Sequence, residues 1–182
     1  MIQSSKTENH DISQNDVRVE WGAIEDIDSW MELVRKLRNA FPGLETEESL
    51  KEHEATVRKF IGKRQAICVK EENEIKAVLL FSRNRNMICC LGVDPDFRKK
   101  GLATALLQQA LDELDRTKDI TVSTFREGDP RATAPRALYK KFGFVEGELT
   151  IEFDYPNQVL VLPGSTQRTR STTLADAGIN WK

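Results

Sequence analysis

Cysteine, long apolar runs and an excess of charge of one sign are all scarce in this sequence, and each scarcity excludes a class of protein. The 182 residues include three cysteines, of which Cys89 and Cys90 are neighbours. Neighbouring side chains on a strand point to opposite faces, so we expect neither a disulfide framework nor a metal site. No apolar stretch approaches the ~18 residues that cross a membrane. Residues 1–15 are polar, unlike a secretory signal, and we therefore expect a cytoplasmic, reduced protein.

The charge balance argues against polyanionic partners. The chain carries 27 Lys and Arg against 29 Asp and Glu, a net charge of −2. Proteins that bind nucleic acid or an anionic membrane usually carry a basic excess, so we expect neither partner. The composition, 39% hydrophobic and 31% charged, is that of a globular protein, and the length fits one domain.

The pattern of apolar residues predicts one domain over 16–163, between a polar tail at 1–15 and a second tail at 164–182 in which Trp181 is a lone apolar anchor. Alternation predicts strands, and 3.6-residue spacing predicts helices. The predicted strands are 17–21, 66–70, 75–82, 86–93, 120–125, 144–154 and 158–162, and the predicted helices are 24–40, 46–61, 101–116 and 134–142.

The resulting order, β-α-α-β-β-β-α-β-α-β-β, predicts an α/β protein with a mixed sheet of about seven strands and helices on both faces. The last two strands form a predicted hairpin around Tyr155-Pro156-Asn157. Thr46 is the predicted N-cap of the second helix.

A basic segment at the start of the third predicted helix indicates an anion site. Arg98, Lys99 and Lys100 precede Gly101 and Ala103. Cations are unfavourable at a helix start, whose dipole is positive, unless an anion is held there. The free N–H groups of a helix start donate to phosphate, and a glycine lets the ligand approach without a Cβ. The alternative is a solvated charge run beside an ordinary turn; the segment is not a Walker loop, because Gly-Lys-Ser/Thr is absent.

Two motifs in this region resemble one enzyme family. Arg98-x-x-Gly101-x-Ala103, which follows a strand ending in LGV at 91–93, resembles motif A of the GNAT superfamily of N-acetyltransferases. The segment ALYKKFGF at 137–144 resembles motif B of the same family. The resemblance covers about residues 16–163, and the predicted element order agrees with the family fold. It implies an acyltransferase that uses acetyl-CoA as its donor.

The resemblance also implies where acetyl-CoA binds. The strand ending at 91–93 carries the family's bulge and splays from the strand at 120–125, so unpaired backbone groups are free for the amide-rich pantetheine arm. A backbone N–H at 91–93 polarises the thioester carbonyl. The implied donor-binding residues are Leu91, Gly92, Val93, Arg98, Lys99, Lys100, Gly101, Leu102, Ala103, Thr104 and Arg136.

Tyr139 is the implied general acid. Leu138 and Phe142 are four residues apart and form the predicted buried stripe of the fourth helix, and Tyr139 lies at the border of that stripe. A border tyrosine packs its ring and reaches a cleft with its hydroxyl. The resemblance implies that this hydroxyl protonates the departing CoA thiolate, since tyrosine is protonated at neutral pH. The alternative is an ordinary half-buried tyrosine.

The resemblance implies direct attack of the amine on the thioester, without a covalent enzyme intermediate. A cysteine nucleophile needs a neighbouring base, and the sequence places neither His10 nor His53 beside Cys89 or Cys90. The three cysteines are therefore interpreted as small strand hydrophobes. The residue that deprotonates the amine stays open between a water chain and five carboxylates: Glu20, Glu32, Glu45, Glu152 and Asp154.

One departure from the family concerns the strand at 120–125. Many members carry an Asn just after this strand that contacts CoA, whereas this chain continues Thr124-Phe125-Arg126-Glu127. Thr124 or backbone groups are the candidate replacements.

The acceptor implied by the resemblance is an amine, bounded by the first two helices and the closing hairpin, with the segment 41–45 as a lip. We expect a small-molecule primary amine, since the chain offers no second domain or basic surface for a macromolecule. The alternatives are a protein α-amine or lysine, a non-catalytic CoA-binding sensor, and a nucleotide-phosphate binding module. A homodimer is possible, because the closing hairpin offers strand edges.

Overall fold

A seven-stranded sheet organises the protein, of which a computed structural model describes residues 17–166. The strands are β1 Val19–Trp21, β2 Ala66–Glu71, β3 Glu74–Ser82, β4 Met87–Val93, β5 Ile120–Phe125, β6 Val145–Glu152 and β7 Tyr155–Leu162. The α-helices within this range are α1 Ile27–Leu37, α2 Glu47–Gly62, α3 Leu102–Asp112 and α4 Thr133–Lys141. The predicted element order is confirmed. The predicted tail at 1–15, His10 and Trp181 lie outside the described residues.

The strand order in the sheet is β1-β2-β3-β4-β5-β7-β6. Neighbouring strands are antiparallel except β4 and β5, which are parallel. A parallel pair needs a crossover, and α3 provides it. The predicted α/β class with a mostly antiparallel mixed sheet is confirmed.

Each face of the sheet carries its own apolar core. Helices α1 and α2 pack on one face through side chains such as Trp30, Leu33 and Val57, and they cover the β1–β4 half. Helix α3 packs on the other face, where Leu106, Leu107 and neighbours are fully buried, and the α4 side chain of Tyr139 joins the same core. Helices α1 and α2 therefore do not cover the β5–β7–β6 half of the sheet. We use the name α1–α2 face for the surface of that half which lies on the same side of the sheet as α1 and α2.

Several boundaries differ from the predictions. Helix α1 ends at Leu37 and continues as a 3-10 turn over 38–40, and α3 ends at Asp112. The closing turn is Phe153-Asp154 rather than Tyr155–Asn157, because both residues adopt the left-handed backbone of a two-residue hairpin turn, with φ of 52° and 57°. Tyr155 already pairs with Glu152 as the first residue of β7.

The first residues of the predicted C-terminal tail pack back onto the domain. Gly164 donates its backbone N–H to Asp119 Oδ1 at 2.9 Å, and Ser165 donates to the carbonyl of Arg116 at 2.9 Å. A Cβ at position 164 would lie 2.4 Å from the carbonyl oxygen of Thr117, so glycine is required there. The rest of that tail, from 167 on, is not described. None of the helices within 17–166 combines the length and apolarity needed to span a bilayer.

Candidate active site

A cleft opens in the middle of the sheet, where β4 and β5 diverge. The two strands pair only at their first residues, Met87 with Thr121 and Ile88 with Val122. Beyond this point β4 runs on to Val93, and residues 90–93 pair with β3 on its other side. In the described part of the chain, residues 89–93 of β4 have no strand partner toward β5. We call the gap between β4 residues 89–93 and β5 residues 123–125 the β4–β5 cleft.

The divergence begins at a β-bulge. Leu80 of β3 faces Cys90, whereas Phe81 faces Ile88, so Cys89 is the extra residue of β4. A bulge bends its strand and strengthens the local twist, which turns β4 away from β5. The bulge lies two residues before Leu91.

Gly92 of β4 lies against the end of α1. A Cβ at this position would lie 2.9 Å from Leu37 Cδ1 and 3.4 Å from Phe41 Cζ. The absence of a side chain thus lets the end of α1 and the α1–α2 connection approach the cleft. Leu91 and Val93 point the other way, into the core under α3.

The segment 98–104, which we call the donor loop, leads from the end of β4 into α3. Lys99 and Gly101 both have left-handed backbone, with φ of 61° and 80°. Such kinks turn successive N–H groups toward one point, an arrangement that favours anions. Helix α3 begins at Leu102, and its first N–H groups have no carbonyl partner inside the helix. Nothing lies within 4 Å of a Cβ built on Gly101, so the helix start is open to a ligand.

The cations of the donor loop differ in their surroundings. Arg98 and Lys99 are exposed. The ammonium group of Lys100 lies 4.4 Å from the centre of the Phe97 ring, and that of Lys76 lies 4.9 Å from the same ring. These contacts fix Phe97 and keep two positive charges beside the helix start.

A buried carboxylate, that of Asp94, stabilises the backbone just before the donor loop. Asp94 accepts a hydrogen bond from the backbone N–H of Asp96 at 3.0 Å and pairs with Lys36 of α1 at 2.6 Å. Lys36 also pairs with Asp96 at 2.8 Å. Although burial alone would raise the pKa of Asp94, the hydrogen bond from Lys36 and that from Asp96 outweigh it and leave the pKa below its ordinary value. The ion pair of Lys36 with Asp94 could not be predicted from the sequence, because 58 residues separate the two.

Tyr139 is the buried residue of α4. It is 4% exposed, and its ring meets Phe144 edge to face, with 5.4 Å between ring centres. The predicted stripe was wrong in detail, since Leu138 and Phe142 are only partly buried. Burial raises the pKa of the Tyr139 hydroxyl above its ordinary value, and an electrostatic contribution from the Cys90 thiol adds to the rise.

A thiol beside the cleft, Cys90, is a weak acid, because burial raises its pKa to about 12. Its neighbour Cys89, the extra residue of the bulge, is exposed. Cys68 lies in the core on β2, where burial raises its pKa to about 12. Within residues 17–166 no group of His, Cys, Asp or Glu side chains is arranged to hold a metal ion.

On the α1–α2 face, the closing hairpin touches the α1–α2 connection. A Cβ built on Gly43 would lie 2.7 Å from Cδ1 of Phe153. Gly43 has a φ of +88°, and its N–H donates to Glu45 Oε1 at 3.0 Å. The predicted lip at 41–45 and the tip of the hairpin thus meet across the open side of the cleft.

A cluster that sequence analysis missed follows β5. Asp129 pairs with Arg131 at 3.1 Å and accepts a hydrogen bond from the Tyr155 hydroxyl. The guanidinium of Arg131 stacks 4.2 Å from the Phe125 ring centre and 4.6 Å from that of Tyr155. The cluster stands just after β5, where the sequence motif led us to expect a replacement for an Asn contact to CoA. Arg126 adds hydrogen bonds to the carbonyls of β6 and β7.

Arg136 is the one predicted donor-binding residue that the structure does not bring to the others. Its guanidinium donates to Gln158 Oε1 at 2.9 Å and to the carbonyl of Phe125 at 3.3 Å, and it pairs with Glu146. It therefore faces β7 and β6 rather than the donor loop.

The five carboxylates that are candidates for the base lie in different parts of the structure. Glu20 pairs with Lys70 on the β1–β2 edge, three strands from β4, and Glu32 is exposed on α1. Asp154 is exposed in the closing turn. Glu45 and Glu152 remain beside the contact of Gly43 with Phe153.

Comparison of the sequence with known families gives one match. The sequence model described as acetyltransferase (GNAT) family matches residues 30–144, which is more than half of the chain and includes the cleft, the donor loop and α4. A search of curated proteins gives no match.

Solved structures with the same fold come from several acetyltransferases. A GNAT-family acetyltransferase from Bacillus cereus superposes with a TM-score of 0.63 at 19% identity, over 81% of this chain and 96% of its own. The ribosomal-protein-S18-alanine N-acetyltransferase from Escherichia coli gives 0.61 at 20% identity, over 91% and 98%. An N-acetyltransferase from Thermoplasma acidophilum, solved in complex with coenzyme A, gives 0.60 at 14% identity, over 81% and 99%. At these identities the likeness establishes the fold.

Proposed function

This chain belongs to the GNAT acetyltransferase family, whose members use acetyl-CoA, and we propose that it transfers the acetyl group to the primary amine of a small molecule. The amine attacks the thioester carbon directly, the C–S bond breaks, and the CoA thiolate takes a proton from Tyr139. The amine loses its proton to water or to a carboxylate beside the acceptor.

The observation that carries this proposal is the β4–β5 cleft with the donor loop at its mouth. Unpaired backbone groups of residues 89–93 offer hydrogen bonds to the amides of pantetheine, as an added strand would. The N–H groups at the start of α3, with Arg98, Lys99 and Lys100 around them, suit the pyrophosphate. Leu102, Ala103 and Thr104 supply these N–H groups. Arg136 is left out of the donor site because its guanidinium is held elsewhere.

Tyr139 is the proposed proton donor because it occupies the tyrosine position of the motif at 137–144. Burial raises its pKa, which keeps the hydroxyl protonated at neutral pH before the thiolate departs. Cys90 does not suit a covalent route, because a thiol with a pKa of about 12 is not ionised at neutral pH.

The contact of Gly43 with Phe153 favours a small acceptor. It bridges the open side of the cleft, so a long peptide would have to displace it. Glu45 and Glu152 flank this contact and attract a cationic amine before it is deprotonated. The alternative acceptor is an amine on a protein, and the experiment has to distinguish it from a small-molecule amine.

The experiment begins with thermal melts of the purified protein with and without acetyl-CoA. A ligand at ~100 times its Kd adds about 2.7 kcal/mol, which moves the melt of a domain of this size by several degrees. We expect a shift with acetyl-CoA and none with ATP. Gly101→Glu should remove the shift, because it brings a side chain and a negative charge to the phosphate site. An unaltered shift in this variant would contradict the donor site.

A screen of acceptors then follows release of the CoA thiol. Small primary amines are compared with peptides that present a free α-amine or a lysine. Turnover with small amines supports the proposal, whereas turnover with peptides alone would replace it by protein acetylation. Binding of acetyl-CoA without turnover on any amine would indicate a CoA sensor.

A further inference from the structure

The end of α1 contacts both halves of the candidate site. Its last two residues are Lys36 and Leu37. The ammonium group of Lys36 lies 2.6 Å from Asp94 Oδ1 and 2.8 Å from Asp96 Oδ2, just before the donor loop. The residues that follow α1 lead to the predicted lip at 41–45. One short segment thus connects the proposed phosphate site with the proposed acceptor side.

The Asp94 carboxylate depends on Lys36. Asp94 is 6% exposed, and within residues 17–166 its side chain has two hydrogen-bond partners, the ammonium group of Lys36 and the backbone N–H of Asp96. A buried carboxylate that loses its cation is destabilised, because its charge is then left without compensation. Replacement of Lys36 by a neutral residue should therefore loosen the contact between α1 and this turn.

The turn Pro95–Phe97 connects Asp94 to the donor loop. Phe97 donates its backbone N–H to the carbonyl of Asp94 at 2.9 Å. The centre of its ring lies 4.4 Å from the ammonium group of Lys100, which belongs to the donor loop. Because this 3-10 turn is only three residues long, a ligand that fixes the donor loop also restrains Asp94.

On the acceptor side, the same segment packs against β4 and the closing hairpin. A Cβ built on Gly92 would lie 2.9 Å from Leu37 Cδ1 and 3.4 Å from Phe41 Cζ, so both side chains lie against the β4 backbone. Gly43, two residues further along the chain, meets the ring of Phe153. The lip is therefore held at one end by α1 and in its middle by the tip of the hairpin.

The lip is a segment whose local opening can respond to the donor loop. It lies in the α1–α2 connection, outside the α-helices and strands, and its residues are partly buried or exposed. Segments with few buried contacts open locally at a lower free energy than the core does. A ligand that restrains one end of such a segment shifts its opening equilibrium.

We propose that Lys36 is a positioning residue that couples the donor loop to the lip, so that CoA bound at the donor loop holds the lip against Phe153. The inference rests on the donor site of the proposed function and adds a connection between its two binding regions. CoA restrains the turn before the donor loop, the turn holds Lys36, and Lys36 holds the end of α1 from which the lip extends. By linkage, a closed lip strengthens CoA binding by the same factor.

Amide hydrogen exchange with CoA alone tests this coupling without an acceptor. In the native protein, saturating CoA should slow exchange in the donor loop. It should also slow exchange in the lip by about fivefold or more, which is the lower end of typical couplings between sites. Lys36→Met should still bind CoA and show protection of the donor loop, but it should lose the protection of the lip. Lys36→Arg, which keeps a cation able to bridge two carboxylates, should restore it.

Arg35→Met is the matched control. Arg35 and Lys36 are the two basic residues in the last turn of α1, and both are exposed. Each substitution therefore removes the same charge at the same helix end. The Arg35 variant should keep the CoA-dependent protection of the lip. If Lys36→Met instead accelerates exchange in the lip by the same factor with and without CoA, Lys36 only stabilises α1, and the coupling is overturned.

Steady-state kinetics with the best amine of the acceptor screen gives a second readout. The lip borders the acceptor rather than the thioester. Lys36→Met should therefore raise KM for the amine by about fivefold or more at saturating acetyl-CoA and leave kcat within about twofold. A lower kcat at an unchanged KM would contradict a positioning role at the lip.

The outcomes distinguish this coupling from the proposed function. If CoA protects the donor loop of the native protein but not the lip, the coupling is overturned and amine acetylation is left intact. Loss of CoA binding in Lys36→Met would place Lys36 in the donor site itself, and it would also overturn the coupling. If CoA protects neither segment of the native protein, the donor site is wrong, and both the proposed function and the coupling are overturned.

Discussion

At the scale of single residues, different surroundings shift the pKa values of two groups in opposite directions. Tyr139 is enclosed by the core under α4, and burial raises its pKa. Asp129 is only partly buried, and its partners Arg131 and Tyr155 lower its pKa. Burial thus keeps the first group neutral, whereas a neighbouring cation and a hydrogen bond keep the second charged.

Tyr139→Phe tests the assigned proton donor. The ring and its contact with Phe144 are retained, so the fold and acetyl-CoA binding should not change. Loss of a general acid should lower kcat by about a hundredfold or more. Steady-state kinetics with the best amine, beside a melt with acetyl-CoA, measures both. Equal kcat in the two proteins would remove the role from Tyr139.

Asp129→Asn tests the cluster after β5. A carboxylate whose pKa is lowered in the folded protein stabilises it above the unfolded pKa of about 3.9, and this stabilisation is lost as the pH falls further. The variant should therefore melt below the native protein at pH 7, and the difference should shrink as the pH falls below about 4. Glu127→Gln, at an exposed position two residues earlier, is the control and should show no such convergence. A difference that stays constant with pH would contradict the ion pair.

At the scale of elements, the start of α3 is unusual because its N-cap is a glycine in the left-handed region. Gly101 has a φ of 80° and makes no side-chain cap. A Ser or Asp at this position would stabilise the helix start better, since its side chain would bind the free N–H groups. The glycine leaves these groups to a ligand, and Lys99 with its own positive φ shapes the approach.

Gly101→Ala and Gly128→Ala form a matched pair that separates folding from binding. Both glycines have positive φ, 80° and 91°, and neither has a neighbour within 4 Å of an added Cβ. Each substitution should cost about 1 kcal/mol of unfolding free energy through backbone strain. Only Gly101→Ala should also weaken acetyl-CoA binding, measured by calorimetry. Equal affinities in the two variants would show that the donor loop is not the phosphate site.

At the scale of the whole molecule, one contact joins segments that are far apart in the chain. Gly43, which follows α1, meets Phe153 at the tip of the last hairpin. This contact joins the helices on the α1–α2 face to the β6–β7 half of the sheet. In the proposed function it borders the side from which the acceptor approaches the cleft.

Gly43→Ala tests this contact. The new Cβ would lie within 2.7–3.1 Å of three Phe153 atoms, and φ is +88°. We expect a loss of about 1–2 kcal/mol from the backbone alone, with a further loss from the displaced turn. Adding Phe153→Ala should restore only the stability that was lost by displacing the turn. A double-mutant cycle of urea unfolding measures the interaction energy between positions 43 and 153. Additive effects would mean that the contact carries no energy.

Features of the fold that depend on neighbouring residues could be predicted from the sequence. The order of elements, the Thr46 cap and the basic helix start could all be predicted from neighbouring residues. The structure agrees, and Thr46 accepts a hydrogen bond from the backbone N–H of Ser49 at 3.0 Å. The closing turn was misplaced because Pro156 and Asn157 carry the stronger local turn signal, whereas pairing of β6 with β7 selects Phe153 and Asp154.

The fold class and the family could be predicted from the sequence, because hydrophobic periodicity, helix ends and two short motifs depend on residues only a few positions apart. The surroundings of the candidate site residues could not. Burial of Tyr139 instead of Leu138, the direction of Arg136, the brace of Lys36 on Asp94 and the pairing of Asp129 with Tyr155 all arise when distant segments pack together. Local propensity carries no information about such neighbours, since their contact energy exists only in the folded chain.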